Sequence, residues 1–499
     1  MNLQTLTHAW RGDLLALLAG ALLPWAFSPY HVVVLVFIGL CGLLLSWLHA
    51  APGRAFWRGW LFGLGLFGIG VSWVHVSMNR FGGMSEALSI ALTALFVMFL
   101  ALFPALCGWL WRRWFSRSGG LAFQLLLLVP VLWLGVELLR GYVFTGFPWL
   151  SLGYSQSDWP LRGYAPLLGV YGISLAVVLS ASLLLYAWLE RRHRVPALLG
   201  LGLLWLLPLG LSTLDWSAPA GKPLRVSLIQ GNIAQDRKWL PEQRIPTLDL
   251  YANLSRENWG ADLVVWPETA IPAFYHQVEP FLQAVAEEAR MNGSELLLGL
   301  PVYDQRSKRY YNSMVAMGGM EGSYEKRHLV PFGEYLPLAD VLGGFIDFFQ
   351  IPMADFTPGR DDVPPVLSLA GQKAGISICY EDAFGEEVVE ALPEATFLIN
   401  ASNDAWFGDS MAPWQHLQIA RMRAMESARY LVRATNTGVS AIIDDKGRIL
   451  ARSPQFETHV LNGEVQPLQG LTPYAVFANL PLMVLVAIVL LVGLWRRRH

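Results

Sequence analysis

The sequence is poor in cysteine and in charged residues, and both shortages narrow what the protein can be. Only three cysteines, Cys41, Cys107 and Cys379, occur among 499 residues. This number excludes a disulfide-stapled scaffold and a zinc site with four cysteine ligands. Charged residues make up 15% of the chain, against about 25% in a typical soluble protein. The net charge of -2 gives no bulk attraction for nucleic acid or for an acidic surface.

Several catalytic signatures are also missing. The chain has no Gly-x-x-x-x-Gly-Lys loop, no His-Glu-x-x-His pair and no Gly-x-Ser-x-Gly elbow. Nucleotide hydrolysis, zinc catalysis and the serine-hydrolase elbow therefore lack their usual motifs. The ten histidines are scattered, and only His328 and His416 lie in dense polar neighbourhoods.

Hydrophobic residues, by contrast, make up 54% of the chain and are concentrated in its first 214 residues and near its end. A membrane span needs about 20 mostly apolar residues. The apolar runs predict eight spans. They cover residues 14–27, 32–48, 56–76, 87–111, 122–139, 167–189, 197–214 and 474–495. A cleaved signal peptide is the alternative for the first run, but a second run follows at once and no convincing cleavage site is present.

Basic residues predict the orientation of these spans, because cytoplasmic loops are enriched in Lys and Arg. Three arginines lie in the predicted outer loops: Arg80, Arg140 and Arg162. The predicted cytoplasmic segments hold many more: Arg11, Arg54, Arg58, Arg112, Arg113, Arg117, Arg191, Arg192, Arg194, Arg496, Arg497 and Arg498. We therefore predict a seven-span bundle (1–221), a domain on the periplasmic side of a bacterial inner membrane (222–467), and an eighth span with a basic cytoplasmic tail (468–499).

A polar stretch, residues 137–159, interrupts the predicted bundle. Glu137 and Arg140 are three residues apart, so they could pair on one helix face. Two interpretations stay open. The stretch is either an interfacial turn with aromatic anchors or the wall of a lipid site, because ionisable groups at membrane depth are usually functional.

Segment 222–467 alternates strand-like and helix-like patterns. The strands are predicted at 224–230, 262–266, 294–302, 311–317, 374–379, 396–400 and 439–444. The helices are predicted at 245–258, 279–291 and 414–430. Strands alternating with helices predict a layered α/β domain.

Three apolar runs of this domain end in residues that carry chemistry. They end at Glu268, near Lys326, and at Cys379. Such junctions are where α/β proteins build their sites. Taken singly, the thiol could be a buried structural group, the carboxylate a helix N-terminal residue and the lysine a solvated one. Together they supply a base, a cation and a nucleophile, the set needed for nucleophilic acyl transfer.

The order Glu268, Lys326, Cys379 resembles that of the nitrilase superfamily of carbon–nitrogen hydrolases. The Lys-x-His-Leu-Val-Pro-Phe-Gly-Glu segment (326–334) and Asn-Asp-Ala-Trp-Phe-Gly (403–408), joined to eight spans, resemble apolipoprotein N-acyltransferases over essentially the whole chain. The resemblance implies an αββα sandwich carried by an α-helical membrane bundle. It also implies movement of an acyl chain from a phospholipid, typically phosphatidylethanolamine, to the N-terminal diacylglyceryl-cysteine amine of a lipoprotein.

The resemblance implies a role for each matching residue. Cys379 forms a thioester, Glu268 is the general base and Lys326 stabilises the oxyanion. Supporting positions follow: Glu334 orients Lys326 or the amine, Tyr380 and Glu381 shape the pocket, and Trp239 lies near the substrate. No cofactor or metal is implied, because the acyl group stays activated as an ester or a thioester.

Two other functions are compatible with part of the same observations. A membrane-anchored amidase would pass the acyl group to water, but a soluble amide needs no eight-span platform. A non-catalytic lipid-binding or transport protein would not need Glu268, Lys326 and Cys379 together, and the spans lack the paired interior charges of an ion-coupled carrier. The apolar loop 340–355 is either part of the core or a mobile flap beside the site.

Overall fold

A computed structural model describes residues 9–331, 333–335 and 356–498. The described chain divides into two compact units. The first contains the described residues of Met1–His75, Glu86–Asp215 and Val476–His499, and the second those of Val76–Ser85 and Trp216–Ala475. The predicted flap, 340–355, lies outside the described residues.

Long apolar helices build the first unit. Five described helices are long and apolar enough to cross a membrane: Glu86–Phe115, Leu121–Thr145, Pro160–Leu189, Arg191–Leu211 and Leu480–Arg497. A sixth candidate is the pair Pro52–Gly70 and Val74–Phe81, bent by 54°. The two remaining predicted spans correspond to helices of 14 residues, Ala9–Leu22 and Val34–Trp47. Length and composition therefore support five or six of the eight predicted spans.

Glu137 and Arg140, two charged residues of the predicted polar stretch, hold a turn in place. Glu137 is buried, and its Oε1 accepts a hydrogen bond from the Leu152 backbone N–H at 3.1 Å. Arg140, also buried, donates to the carbonyl oxygens of Phe147 and Trp149 at 2.6 and 2.5 Å. These contacts fit the interpretation as a structural turn, and a lipid site there stays a prediction.

The second unit is built from strands and a few helices. In chain order the strands are β1 (Ala218–Pro219), β2 (Leu224–Gln230), β3 (Leu263–Val265), β4 (Glu295–Asp304), β5 (Arg309–Met317), β6 (Gly322–Glu325), β7 (Val366–Leu369), β8 (Gln372–Ile378), β9 (Phe397–Ser402), β10 (Leu431–Thr435), β11 (Ala441–Ile443), β12 (Ile449–Arg452), β13 (His459–Val465) and β14 (Leu468–Gln469). Its longer helices are Arg244–Arg256, Tyr275–Met291 and Ala412–Ser427.

Two six-stranded sheets share one pattern of strand directions. One has the order β13-β2-β3-β4-β5-β6 and the other β12-β11-β10-β9-β8-β7, while β1 and β14 form a separate pair. In each large sheet three neighbouring strands are parallel, β2-β3-β4 and β8-β9-β10, and each remaining strand is antiparallel to the strand beside it. The carboxyl ends of parallel strands meet at one edge, so each sheet offers one edge for a site.

Apolar side chains arrange these sheets and helices in four layers. One core cluster joins the inner faces of both sheets, with alternate residues such as Val226 and Leu228 of β2 and Ile376 and Ile378 of β8. A second cluster packs the outer face of the first sheet against Arg244–Arg256 and Tyr275–Met291, and a third packs the other sheet against Ala412–Ser427. The predicted αββα sandwich is therefore present.

The structure contains the predicted strands and several further ones. All seven predicted strands have counterparts, but β1, β6, β7, β10, β12, β13 and β14 were not predicted. The helix predicted to end at residue 430 ends at Ser427, because Ala428 adopts a positive φ of 49° and terminates it. Edge strands such as β12 alternate partly exposed and exposed residues, so they lack the apolar run that marks a buried strand.

Candidate active site

Glu268 lies just beyond the end of β3, in a loop pressed against β4. A Cβ atom at Gly299 of β4 would lie 2.3 Å from the Pro267 carbonyl oxygen and 2.8 Å from the Glu268 Cα, so only glycine permits this approach. The Glu268 side chain is buried. Its Oε1 accepts a hydrogen bond of 2.8 Å from Nδ2 of Asn312 on β5. The sheet thus fixes the carboxylate from two neighbouring strands.

Lys326 follows β6 directly and is fully buried between two carboxylates. Its Nζ lies 3.6 Å from Glu268 Oε1 and 2.8 Å from Glu334 Oε2. Glu334 is held in turn by Asn312 Nδ2 at 3.1 Å and by the Val330 N–H at 2.8 Å. Burial alone would lower the pKa of Lys326, but Glu334 and Glu268 raise the pKa above its ordinary value. The ammonium therefore stays charged.

Cys379 follows β8 and turns the chain sharply. Its φ is 51°, a left-handed conformation that is uncommon for residues other than glycine. The Cys379 carbonyl oxygen contacts Asn400 Nδ2 and His416 Nε2, both at 3.2 Å. Burial, and next the charge of Glu268, raise the pKa of the thiol, while Lys326 opposes them. The resting thiol is therefore protonated and needs a base to become a nucleophile.

Glu381 ties the lysine segment to the nucleophile segment. Its Oε2 accepts the Ile378 N–H at 2.6 Å, and its Oε1 accepts the N–H groups of Arg327 and His328 at 2.6 and 3.1 Å. The Tyr324 hydroxyl adds a bond of 2.9 Å to Oε1. Burial raises the pKa of Glu381 to about 7, although Lys326 and the backbone donors lower it in part. One carboxylate thus sets the position of Lys326 relative to Cys379.

A fully buried ion network lies behind the nucleophile. His416 contacts Asp382 Oδ1 through Nε2 and Asp404 Oδ1 through Nδ1, both at 2.9 Å. Arg433 of β10 donates to the same two carboxylates at 3.2 and 3.0 Å, and to Asn400 Oδ1 at 2.5 Å. Burial and Arg433 would lower the pKa of His416, but Asp382 and Asp404 raise it to about 9. The imidazole is therefore protonated at neutral pH.

The structure brings most of the predicted site residues together. Glu268, Lys326 and Glu334 are in direct contact, Glu381 bridges two of the segments, and the charges of Glu268 and Lys326 both act on the Cys379 thiol.

Of the other two predicted residues, Tyr380 lies between Cys379 and Glu381 in the chain, and Trp239 lies in the loop after β2. Tyr380 is buried and packs edge-on against Phe384, with ring centroids 5.2 Å apart. The Trp239 side chain is 38% exposed, and among the described residues it makes no hydrogen bond.

Sequence reasoning missed the residues that hold the site together. Asn312 lies inside β5, and Tyr324 lies in the unpredicted strand β6. For Arg433, inside β10, the sequence indicates at most a structural role. His416 stood out only by its polar neighbours. Among the described residues, no group of three or more His, Cys, Asp or Glu side chains is arranged to hold a metal ion.

Both halves of the chain match described protein families. Residues 225–474 match the family "Carbon-nitrogen hydrolase", and residues 19–183 match "Apolipoprotein N-acyltransferase N-terminal domain". A relative from Methylococcus capsulatus, named apolipoprotein N-acyltransferase, is 49% identical over 97% of this chain and 96% of its own length. Relatives of the same name from Nitrosomonas europaea and Vibrio vulnificus are 45% and 42% identical, and each alignment covers at least 94% of both chains.

Solved structures of the nitrilase superfamily align with about half of the chain. A superfamily member from Saccharomyces cerevisiae is 19% identical, covers 50% of this chain and 91% of its own, and gives a TM-score of 0.38. A mutant amidase from Nesterenkonia is 22% identical, covers 53% of this chain and 98% of its own, and gives a TM-score of 0.40.

Proposed function

The chain belongs to the apolipoprotein N-acyltransferase family and catalyses the N-acylation of lipoproteins, and from this premise we propose that Cys379 carries the acyl group as a thioester. One observation carries the proposal. Lys326 Nζ lies 3.6 Å from Glu268 Oε1, both side chains are buried, and the charges of both residues influence the pKa of the Cys379 thiol. A base, a cation and a nucleophile in one dry site are the parts of nucleophilic acyl transfer.

In the first half-reaction, Glu268 removes the thiol proton and the sulfur attacks the ester carbonyl of a phospholipid. The tetrahedral oxyanion forms beside the Lys326 ammonium, which stabilises its negative charge. The carbon–oxygen bond of the ester then breaks, and protonated Glu268 gives its proton to the departing alcohol. The products are the Cys379 thioester and a lysophospholipid.

In the second half-reaction, the α-amine of the diacylglyceryl-cysteine attacks the thioester. Glu268, now ionised again, takes a proton from the amine, and Lys326 stabilises the second oxyanion. The carbon–sulfur bond breaks, the sulfur recovers its proton and the amide is complete. Acyl transfer at either stage needs no redox step, so the proposed mechanism uses no cofactor.

The supporting residues take separate roles in this scheme. Glu334 holds Lys326 through its 2.8 Å ion pair, and Glu381 keeps the Lys326 and Cys379 segments in register through backbone hydrogen bonds. Tyr380 forms a wall of the acyl pocket. Trp239, with its exposed indole, contacts the incoming lipid.

We also propose the location and the donor. The two 14-residue helices and the bent pair, added to the five long apolar helices, allow eight spans. The concentration of arginines in alternate loops favours a catalytic domain (222–467) on the periplasmic side of the inner membrane. The seven-span bundle is then 1–221, and 468–499 holds the last span and the tail. Phosphatidylethanolamine is the proposed donor.

The proposal is tested by looking for a covalent acyl-enzyme intermediate by mass spectrometry. Incubated with phospholipid and no acceptor, the purified protein should gain the mass of one acyl chain, and hydroxylamine should remove it. Peptide mapping should place the adduct on Cys379, and Cys379→Ala should neither gain the mass nor acylate a diacylated lipopeptide. An adduct on the Cys379→Ala protein would disprove the assignment. Cys41→Ala is the matched control, since Cys41 belongs to the helical unit, and it should behave as the native protein.

A further inference from the structure

Lys238 is a buried cation that the proposed mechanism does not use. The residue is 1% exposed, and within the described part of the chain its Nζ has no hydrogen-bond partner. An ammonium carries three donors and no acceptor, and a buried charge is costly unless it is paired. A lysine retained in this position therefore points to a partner that arrives with the substrate.

The loop that carries Lys238 is built rigidly. Asn436 accepts the Ile233 N–H at 2.9 Å and donates to the Ile233 carbonyl at 2.8 Å. Asn403 donates to Gln235 Oε1 at 2.9 Å. The Lys238 N–H closes a turn onto Ala234 O at 3.0 Å. Two asparagines of the other sheet thus hold a loop whose last turn directs the lysine inward.

The Lys238 ammonium lies close enough to the Glu268 carboxylate for the two charges to interact. Burial lowers the pKa of Lys238 to about 8, and Glu268 opposes this shift. Glu268 makes no hydrogen bond to this ammonium within the described part of the chain, and its Oε1 is bonded to Asn312 and lies 3.6 Å from Lys326. Glu334 is likewise bonded to Lys326 and to the Val330 N–H. The other carboxylates of the cluster are therefore engaged, and Lys238 keeps unused donors beside the reacting groups.

We propose that Lys238 binds the phosphodiester oxygens of the acyl donor, an inference that rests on the proposed use of a phospholipid. The acyl chain is apolar, the ester carbonyl is neutral and belongs to Lys326, and the acceptor amine offers no negative charge. The phosphodiester is the one permanent anion among the proposed substrates, and a charge-assisted hydrogen bond to phosphate matches an ammonium. Proton transfer from Cys379 to Glu268 neutralises the carboxylate, which leaves the Lys238 charge free for the phosphate.

The experiment compares two donors that carry the same fatty acid. Acylation of a diacylated lipopeptide is measured with phosphatidylethanolamine and with the uncharged p-nitrophenyl ester. Lys238→Met keeps the length of the side chain without its charge. We expect it to lower kcat/KM for the phospholipid at least tenfold, mainly through KM. The ratio of kcat/KM for the phospholipid to kcat/KM for the neutral ester should fall by a similar factor. Lys238→Arg should restore most of the ratio. Lys373→Met, at an exposed lysine on β8, should leave both donors unchanged.

Stability supplies an independent readout. Since an unpartnered buried ammonium destabilises the fold, Lys238→Met should melt at the same temperature as the native protein or higher. Equal losses with both donors would overturn the inference, because Lys238 would then act on Glu268 or Cys379. An unchanged ratio with full activity would overturn it too. A native protein that uses the neutral ester but not the phospholipid would refute the proposed donor itself, and the Cys379 adduct tests the thioester separately.

Discussion

The two six-stranded sheets share a strand pattern but differ in how their buried charges are satisfied. The sheet with β3 and β6 supplies Glu268 and Lys326, and polar atoms near them, such as Lys238 Nζ and Asn312 Oδ1, lack a partner among the described residues. The sheet with β8 and β10 supplies Cys379 and, behind it, the His416 network in which two carboxylates face two cations.

We interpret this difference as one of roles: the charged groups of the first sheet take part in the reaction, and the ion network of the second sheet supports the nucleophile. In the proposed mechanism Glu268 of the first sheet takes and returns protons, and the unpartnered polar atoms near it are available to the substrate. The second sheet must hold the Cys379 backbone at a positive φ, which costs energy. The charged groups behind Cys379 are bonded to one another and to the Cys379 carbonyl, and of this network only Arg433 Nε lacks a partner among the described residues. Substitutions of the charged groups beside Glu268 should therefore lower activity and keep the fold, and substitutions in the ion network behind Cys379 should lower stability.

The largest expected effect is on turnover, from changes in the first sheet. Glu268→Gln keeps the shape of the side chain and can still accept the Asn312 bond, but it cannot take a proton. Acylation of a lipopeptide should fall by about 10²–10⁴-fold, the range of general acid–base catalysis. The melting temperature in detergent should stay close to the native value. Near-normal turnover would move the base elsewhere, with Glu334 as the next candidate.

The next effect is on stability, from the second sheet. Arg433→Met leaves Asp382 and Asp404 buried with one cation fewer, and breaking a buried ion pair in this way costs about 3–5 kcal/mol. We expect a large fall in the melting temperature and in the yield of folded protein. Arg429→Met is the control, because Arg429 is as buried but bonds only to backbone carbonyls in its described contacts. If Arg433→Met melts no lower than Arg429→Met, the network is not a support.

The sequence predicts the residues that carry out the reaction better than the residues that hold them in place. Glu268 and Cys379 could be found because each ends an apolar strand, where a polar residue is conspicuous. Arg433 could not, because a charged residue inside a strand usually indicates an exposed strand, and only the tertiary partners Asp382 and Asp404 make its burial possible. The helix Ala412–Ser427 could be predicted from its apolar spacing, but the burial of its polar residues as well depends on tertiary partners.

The third effect is a pH dependence of the second sheet. The pKa of His416 is raised from 6.5 to about 9, so the protonated form is favoured by folding. The stabilisation is complete below about pH 6.5 and is lost as the pH rises through about 9. A shift of this size corresponds to at most about 3 kcal/mol. Melting temperatures measured from pH 6 to 10 should fall above pH 8, and the fall should be smaller in His416→Gln. An equal fall in both proteins would assign the effect to other groups.

The smallest effect concerns the bridge between the two sheets. Tyr324 on β6 donates to Glu381 Oε1, which also accepts the Arg327 and His328 N–H groups, while Glu381 Oε2 accepts the Ile378 N–H. Tyr324→Phe removes one buried hydrogen bond and keeps the ring, which should cost about 0.5–1.5 kcal/mol.

Because Glu381 keeps its backbone donors, the Tyr324→Phe fold should survive. The looser bridge should lower kcat a few-fold and leave KM for the phospholipid unchanged. Tyr430→Phe, at a tyrosine beside the other sheet, is the matched control for loss of a hydroxyl. A KM effect without a kcat effect would show that Tyr324 contacts lipid. If Tyr324→Phe changes neither constant, Glu381 alone holds the two sheets in register, and the catalytic sheet depends on its partner only through that carboxylate.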